Sequence, residues 1–237
     1  MGFQQNRSGY FSNIPAVTKH LIIINFLCWG ATLILPKLHI DLIRWCGLHF
    51  PGAADFYPFQ VITYMFMHDP HSIGHIFFNM FAVFMFGSAL EDLWGTKRYL
   101  TFYLVSGIGA ALVQELVWLY LIDSVASAHQ LSIAQVVAFN PSVNYMVTIG
   151  ASGAVFGILL GFGMFFPNTS LYLFFIPVPI KAKYFVVIYG VIELFLGVAS
   201  LSSDNVAHFA HLGGMLFGFI MILYWRRKDR RNGRYFY

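Results

Sequence analysis

The chain has 237 residues, of which 58% are apolar and only 10% charged, with a formal net charge of +4. Soluble domains carry about 25% charged residues, so this composition excludes a soluble enzyme and describes a polytopic membrane protein. The length suffices for six or seven apolar crossings of about 20 residues with short loops. Cys28 and Cys46 lack the spacing of a disulfide framework or a zinc site.

The first crossing is expected from about Lys19 to Leu35, where Pro36 ends it by removing a backbone donor. The polar N-terminus and the late start of this run give no sign of a cleavable signal peptide. From Lys37 to Gly74 the chain is broken by Pro51, Pro58 and Pro70. It is expected to lie at the interface, with Trp45, Phe50, Phe56, Tyr57 and Tyr64 at the depth where amphipathic rings concentrate. The second crossing runs from His75 to about Leu93 and the third from about Tyr99 to Ile122, joined by a short turn marked by Glu91, Asp92, Lys97 and Arg98. A polar loop from Asp123 to Thr148 leads to the fourth, Ser152 to Phe166, which Pro167 and Asn168 end. The segment Pro177-Val178-Pro179 with Lys181 and Lys183 is another boundary. The fifth crossing is about Tyr184 to Leu201 and the sixth about Val206 to Trp225.

The fold class is therefore all-α, a bundle of six transmembrane helices. Residues 1–18 form a short N-terminus, 19–225 the membrane domain and 226–237 a basic tail. Arg7, Lys19, Lys97, Arg98, Lys181, Lys183 and six residues of the tail through Arg234 share one side, twelve of the fourteen basic residues. Only Lys37 and Arg44 oppose them, so the positive-inside rule places both termini in the cytoplasm. Anionic lipid headgroups, not nucleic acid, account for the basic tail.

With that topology the second, fourth and sixth crossings enter from outside, and each carries polar residues in its first turns. These are His75 and Asn79, Ser152, and His208 and His211. At 1.5 Å rise per residue, His211 lies only about 6–8 Å inside its helix start, so the clusters share one depth. Polar groups in hydrocarbon are costly unless they face the bundle interior or water, which makes such placement a functional hypothesis. Gly150-Ala151-Ser152-Gly153 would present a serine at a helix start whose amides lack intrahelical partners. The same glycines also read as a packing stripe, since Gly153, Gly157 and Gly161 recur every four residues.

A histidine that takes the serine proton makes the hydroxyl a nucleophile, with His75, Asn79 and the Ser152 amide as candidate oxyanion donors. Glu193 and Glu115 belong to other crossings and Asp204 lies outside. The expectation is a dyad of serine and histidine whose imidazole is oriented by packing. The rival chemistry is a metal site, for which His68, His71, His75, His208 and His211 offer imidazoles. It leaves Ser152 unexplained, and no metal or other cofactor is expected.

The segments His75 to Met80, Glu91 through Gly95 to Leu100, Gly150 to Gly153, and Ala210-His211-Leu212-Gly213-Gly214 with Gly218 occur in an order that resembles the rhomboid family of intramembrane serine proteases. The resemblance covers about Met67 to Tyr224. It implies a serine endopeptidase that cuts in or near transmembrane segments of membrane-protein substrates, with Ser152 as nucleophile and His211 as base. It further implies His75 and Asn79 at the oxyanion hole, Phe156 as the imidazole platform, and Gly214 and Gly218 as the packing face of the sixth helix. By the same analogy the fifth crossing, with Phe185, Tyr189 and Phe195, is a side gate. Phe59-Gln60 stands where many bacterial relatives have Trp-Arg. The alternative class is a non-catalytic relative that binds unstable transmembrane segments, and such relatives usually lack the serine or the histidine. A bacterial inner membrane is the expected location, and the sequence leaves the oligomeric state open.

Overall fold

The computed structural model describes residues 14–173, 176–199 and 208–233. Arg7, Leu201, Asp204, Val206 and Arg234, used in the topology above, lie outside the described residues. In chain order the helices are α1 (Ala16–Ile34), α2 (Leu42–Cys46), α3 (Gln60–Thr63), α4 (Ile73–Ala82), α5 (Ser88–Trp94), α6 (Thr96–Ala128), α7 (Ile133–Phe139), α8 (Ser152–Phe165), α9 (Ala182–Ala199) and α10 (His208–Arg231). A single π-helical segment, Val83–Gly87, joins α4 to α5, so the two act as one crossing. Two antiparallel strand pairs complete the fold: β1 (Leu48–His49) with β2 (Val147–Thr148), and β3 (Ser170–Leu173) with β4 (Ile176–Lys181).

Among the described residues, five spans are long and apolar enough to cross a bilayer, and α8 is a shorter apolar helix. Together they make a polytopic helical membrane protein. Two boundaries differ from expectation. The third crossing continues as α6 to Ala128, because Asp123, Ser124 and Ser127 do not break a helix when they project to one side. The last helix likewise runs through the basic segment to Arg231. There Arg98 of α6 forms two hydrogen bonds to Asp229 of α10, at 2.8 and 2.6 Å.

The N-terminus of α1 needs partners for its free amides, and they come from a distant carboxylate. Glu91 of α5 is 3% exposed and accepts from the Val17 amide, the Thr18 amide and the Thr18 hydroxyl at 2.9, 2.8 and 2.9 Å. A residue expected to mark a turn is thus a buried anchor.

The segment between α1 and α4 does not span, as its composition implies, but it is not all interfacial. Trp45 and Tyr57 are exposed, whereas Phe50 and Tyr64 are buried in the core. The reason for Tyr64 is a hydrogen bond from its hydroxyl to the Gly107 carbonyl of α6, at 2.6 Å. Gln60 is fully buried and gathers this segment: its Nε2 donates to the Trp45 and Asp55 carbonyls at 3.1 and 2.8 Å. Its Oε1 accepts from the His49 amide at 3.3 Å.

α8 has 14 residues and is about 21 Å long, less than the hydrocarbon thickness of about 30 Å. Non-helical backbone at membrane depth survives only where protein satisfies it. Here β1 pairs with β2 just ahead of α8, and the Gly150 amide donates to the Tyr64 carbonyl at 3.0 Å. The short helix therefore starts inside the bundle.

Candidate active site

Ser152 opens α8, so its amide is one of the four first-turn N–H groups without an intrahelical acceptor. Gly150, two residues before it, has φ of 127°, a left-handed conformation that glycine adopts without steric penalty. A Cβ there would also sit 2.8 Å from His75 Nε2 and 3.6 Å from Ser152 Oγ. Glycine is required on both grounds, and the same geometry puts the His75 imidazole and the serine hydroxyl on either side of one small space.

α10 brings His211 to the serine because it packs almost backbone to backbone on α8. A Cβ on Gly214 would overlap the Gly153 backbone, and one on Gly218 would lie 3.4 Å from the Gly157 Cα. Gly214 and Gly218 thus lie against the Gly153 and Gly157 backbone of α8. The resulting hydrogen bond runs from the Ser152 hydroxyl to His211 Nε2 at 2.8 Å. The Phe156 ring, one turn into α8, stacks on the His211 ring with centroids 4.3 Å apart and planes 7° from parallel.

His75 lies on α4, whose N-cap Ser72 accepts from the His75 amide at 3.3 Å. The amide of Asp69 donates to His75 Nδ1 at 3.4 Å, and Trp29 of α1 holds Asp69 by donating to its carbonyl at 3.2 Å. A backbone N–H can only donate, so Nδ1 is the acceptor and Nε2 carries the proton. His75 thus presents an N–H towards the space beside Ser152. Asn79 is 7% exposed and its Nδ2 donates to the His75 carbonyl at 2.8 Å. An amide nitrogen has two N–H groups, so one is left for a ligand.

His68, fully buried, packs edge-on against His75 with ring centroids 5.0 Å apart. Burial, with the neighbouring His75 charge as the lesser cause, pushes its imidazole down to about 3. His71 is exposed and its amide donates to Asp69 Oδ1 at 2.8 Å.

The expectation that no acidic side chain reaches the imidazole is corrected. Glu193 of α9, 5% exposed, accepts at Oε2 from Nδ1 of His211 at 2.9 Å and from Nδ1 of His208 at 2.8 Å. Its assignment to another crossing was right, but antiparallel packing of α9 on α10 brings that crossing alongside. On α9, Glu193 is buried with Val186 and Gly197 while Val187, Val191 and Phe195 are exposed. A lone carboxylate in such a helix must sit on the small-residue stripe that faces the bundle. The bond from Asp69 to His75, made by backbone, had no signal in residue identities. Glu193, His208 and His211 together place one ligand atom each within 4.8 Å of the others, so these three, not His75, form the metal-capable group.

Among the described residues, five helices of spanning length and the shorter α8, with a serine and an imidazole hydrogen-bonded inside the bundle, define an integral membrane protein. The comparisons then name its kin: a model of the Rhomboid domain matches residues 56–228, and the chain belongs to the rhomboid family. It is 28% identical over 159 residues to Rhomboid protein 1, mitochondrial, of Saccharomyces cerevisiae, covering 67% of this chain and 39% of that protein. Against RHOMBOID-like protein 12, mitochondrial, of Arabidopsis thaliana it is 31% identical over 185 residues, covering 74% and 47%. Against Rhomboid protease AarA of Providencia stuartii it is 35% identical over 89 residues, covering 37% and 28%. The chain thus spans less than half the length of these relatives.

Proposed function

We propose that the protein is an intramembrane serine endopeptidase acting on transmembrane segments of other membrane proteins. The observation that carries this reading is the 2.8 Å hydrogen bond between Ser152 Oγ and His211 Nε2 at the intramembrane start of α8. His211 Nε2 takes the hydroxyl proton as Oγ attacks the scissile carbonyl carbon. The oxyanion accepts from the His75 Nε2–H, the Ser152 amide and the second N–H of Asn79. Collapse breaks the C–N bond as His211 returns the proton to the leaving amine. Water then attacks the ester, giving its proton to His211, and Ser152 is regenerated. Because a helix hides its amides, the substrate must unwind locally, which favours helix-weakening residues around the cut.

Access for such a substrate is proposed beside α9, where Tyr189 packs tilted against Phe156 with centroids 4.9 Å apart. Phe195 of the same helix is 71% exposed and suits the lipid side. The positive-inside distribution supports an orientation with Lys97, Arg98 and the end of α10 in the cytoplasm. Similarity to mitochondrial relatives as well as to one from Providencia stuartii does not select a bacterial inner membrane.

A second reading, a histidine-ligated metallohydrolase, draws on the Glu193, His208 and His211 group. One experiment separates the readings: cleavage of a reporter transmembrane substrate by purified protein, with Ser152→Ala and His211→Ala variants, with a strong chelator, and with a fluorophosphonate probe. The serine reading expects both variants to be inactive though folded, probe labelling that Ser152→Ala abolishes, and no chelator effect. Undiminished turnover by Ser152→Ala would overturn it, whereas chelator loss restored by added metal would establish the second reading. A non-catalytic binding factor would neither cleave nor label.

A further inference from the structure

Stacking on Phe156 fixes the plane of the His211 ring but not which edge faces the serine. A half-turn about Cβ–Cγ keeps the stack and puts ring carbons where Nδ1 and Nε2 were. What breaks that degeneracy is a fixed acceptor at Nδ1, and Glu193 Oε2 stands there at 2.9 Å. Because an ionised carboxylate only accepts, Nδ1 must carry the proton and Nε2 is left as the acceptor for the Ser152 hydroxyl. His208, one turn earlier on α10 and 6% exposed, donates Nδ1–H to the same oxygen at 2.8 Å. Both imidazoles thus share Oε2 as their acceptor inside the bundle.

Resting on the serine-protease reading above, we infer that Glu193 is a positioning residue of that reaction. It selects the reactive ring orientation and tautomer of His211 and supplies the countercharge when His211 takes the Ser152 proton. His208 in turn steadies the Glu193 carboxylate. The site is then assembled from three helices: the nucleophile on α8, the base on α10 and its anchor on α9. Any movement of α9 that parts Glu193 from His211 slows proton transfer.

The test is kcat and KM for a reporter transmembrane substrate, measured for wild type, Glu193→Gln and Glu193→Asp with thermal midpoints and fluorophosphonate labelling. The glutamine variant keeps the size of the side chain and loses only the carboxylate that accepts from His211 Nδ1. Its kcat should fall about 10- to 100-fold, less than loss of a whole triad member, with KM near wild type. Glu193→Asp, which keeps a carboxylate, should recover part of that loss.

A folded Glu193→Gln protein with wild-type kcat overturns the inference. If that variant does not fold, nitrogen NMR of histidine-labelled wild type decides alone: a protonated Nδ1 and unprotonated Nε2 on His211 support it, and the opposite tautomer overturns it. Wild type that neither labels nor cleaves would refute the protease reading, while the same spectrum still judges the contact with Glu193.

Discussion

Asn79 shows how one side chain can serve structure and chemistry at once. Its carboxamide already donates to the His75 carbonyl one turn back, which holds the α4 face that carries both residues. If its second N–H stabilises the oxyanion, Asn79→Ala should lower kcat more than it changes KM, because that bond strengthens only as charge develops. Loss of one such donor costs about 3–4 kcal/mol where nothing substitutes. His75 and the Ser152 amide remain, so a drop of about 10- to 100-fold is expected. A lower thermal midpoint with unchanged kcat would assign Asn79 to helix stability alone. His75 differs in having its tautomer dictated by a backbone amide, so its N–H direction does not depend on solvent.

At the scale of elements, two anchors organise the bundle around a helix too short to span. The glycine faces of α8 and α10 let the backbones touch, and that approach brings His211 within reach of Ser152. The other anchor is Glu91, whose carboxylate collects three donors from the start of α1. Removing it strands a buried amide, a part-buried amide and a buried hydroxyl at a helix N-terminus. Charge-assisted bonds of this kind are worth about 1.5–3 kcal/mol each when a partner is lost, though not additively. Glu91→Ala should therefore destabilise the fold by about 2–4 kcal/mol. Faster hydrogen exchange in the first turns of α1 should accompany the lower thermal midpoint. An unchanged midpoint and exchange rate would refute the anchoring role.

For the whole molecule, buried His68 makes stability depend on pH. Its folded value of about 3 lies below the ordinary histidine value of about 6.5. Between those limits the unfolded chain binds a proton that the folded one does not, so stability rises with pH across the window and falls on acidification. The slope is about 1.4 kcal/mol per pH unit. Asp55, held below its ordinary range by its hydrogen bond to Arg44, acts in the same direction at lower pH. Denaturation midpoints of wild type should thus drop steadily below about pH 6.5, and His68→Phe should flatten that part of the curve. Parallel curves for the two proteins would exclude His68 as the source.

Residue identities alone determined the membrane class, the order of the crossings and the gathering of Ser152 with histidines of the second and sixth, while the family resemblance picked His211 as its partner. Those follow from local properties: apolar runs of spanning length, prolines and charges between them, and polar groups too costly to leave in hydrocarbon. The family resemblance added Phe156, Gly214 and Gly218, whose short motifs lie on single helices. Tertiary structure alone decided what crosses between helices. Glu193 and His211 are eighteen residues apart and Glu91 and Thr18 seventy-three, and no periodicity encodes which faces will meet. It also decided the depth of Ser152, because the start of α8 is held inside the bundle by β1, β2 and the Tyr64 carbonyl. A carboxylate read as belonging elsewhere became the partner of the base because packing, not chain order, sets what lies within 3 Å in a bundle.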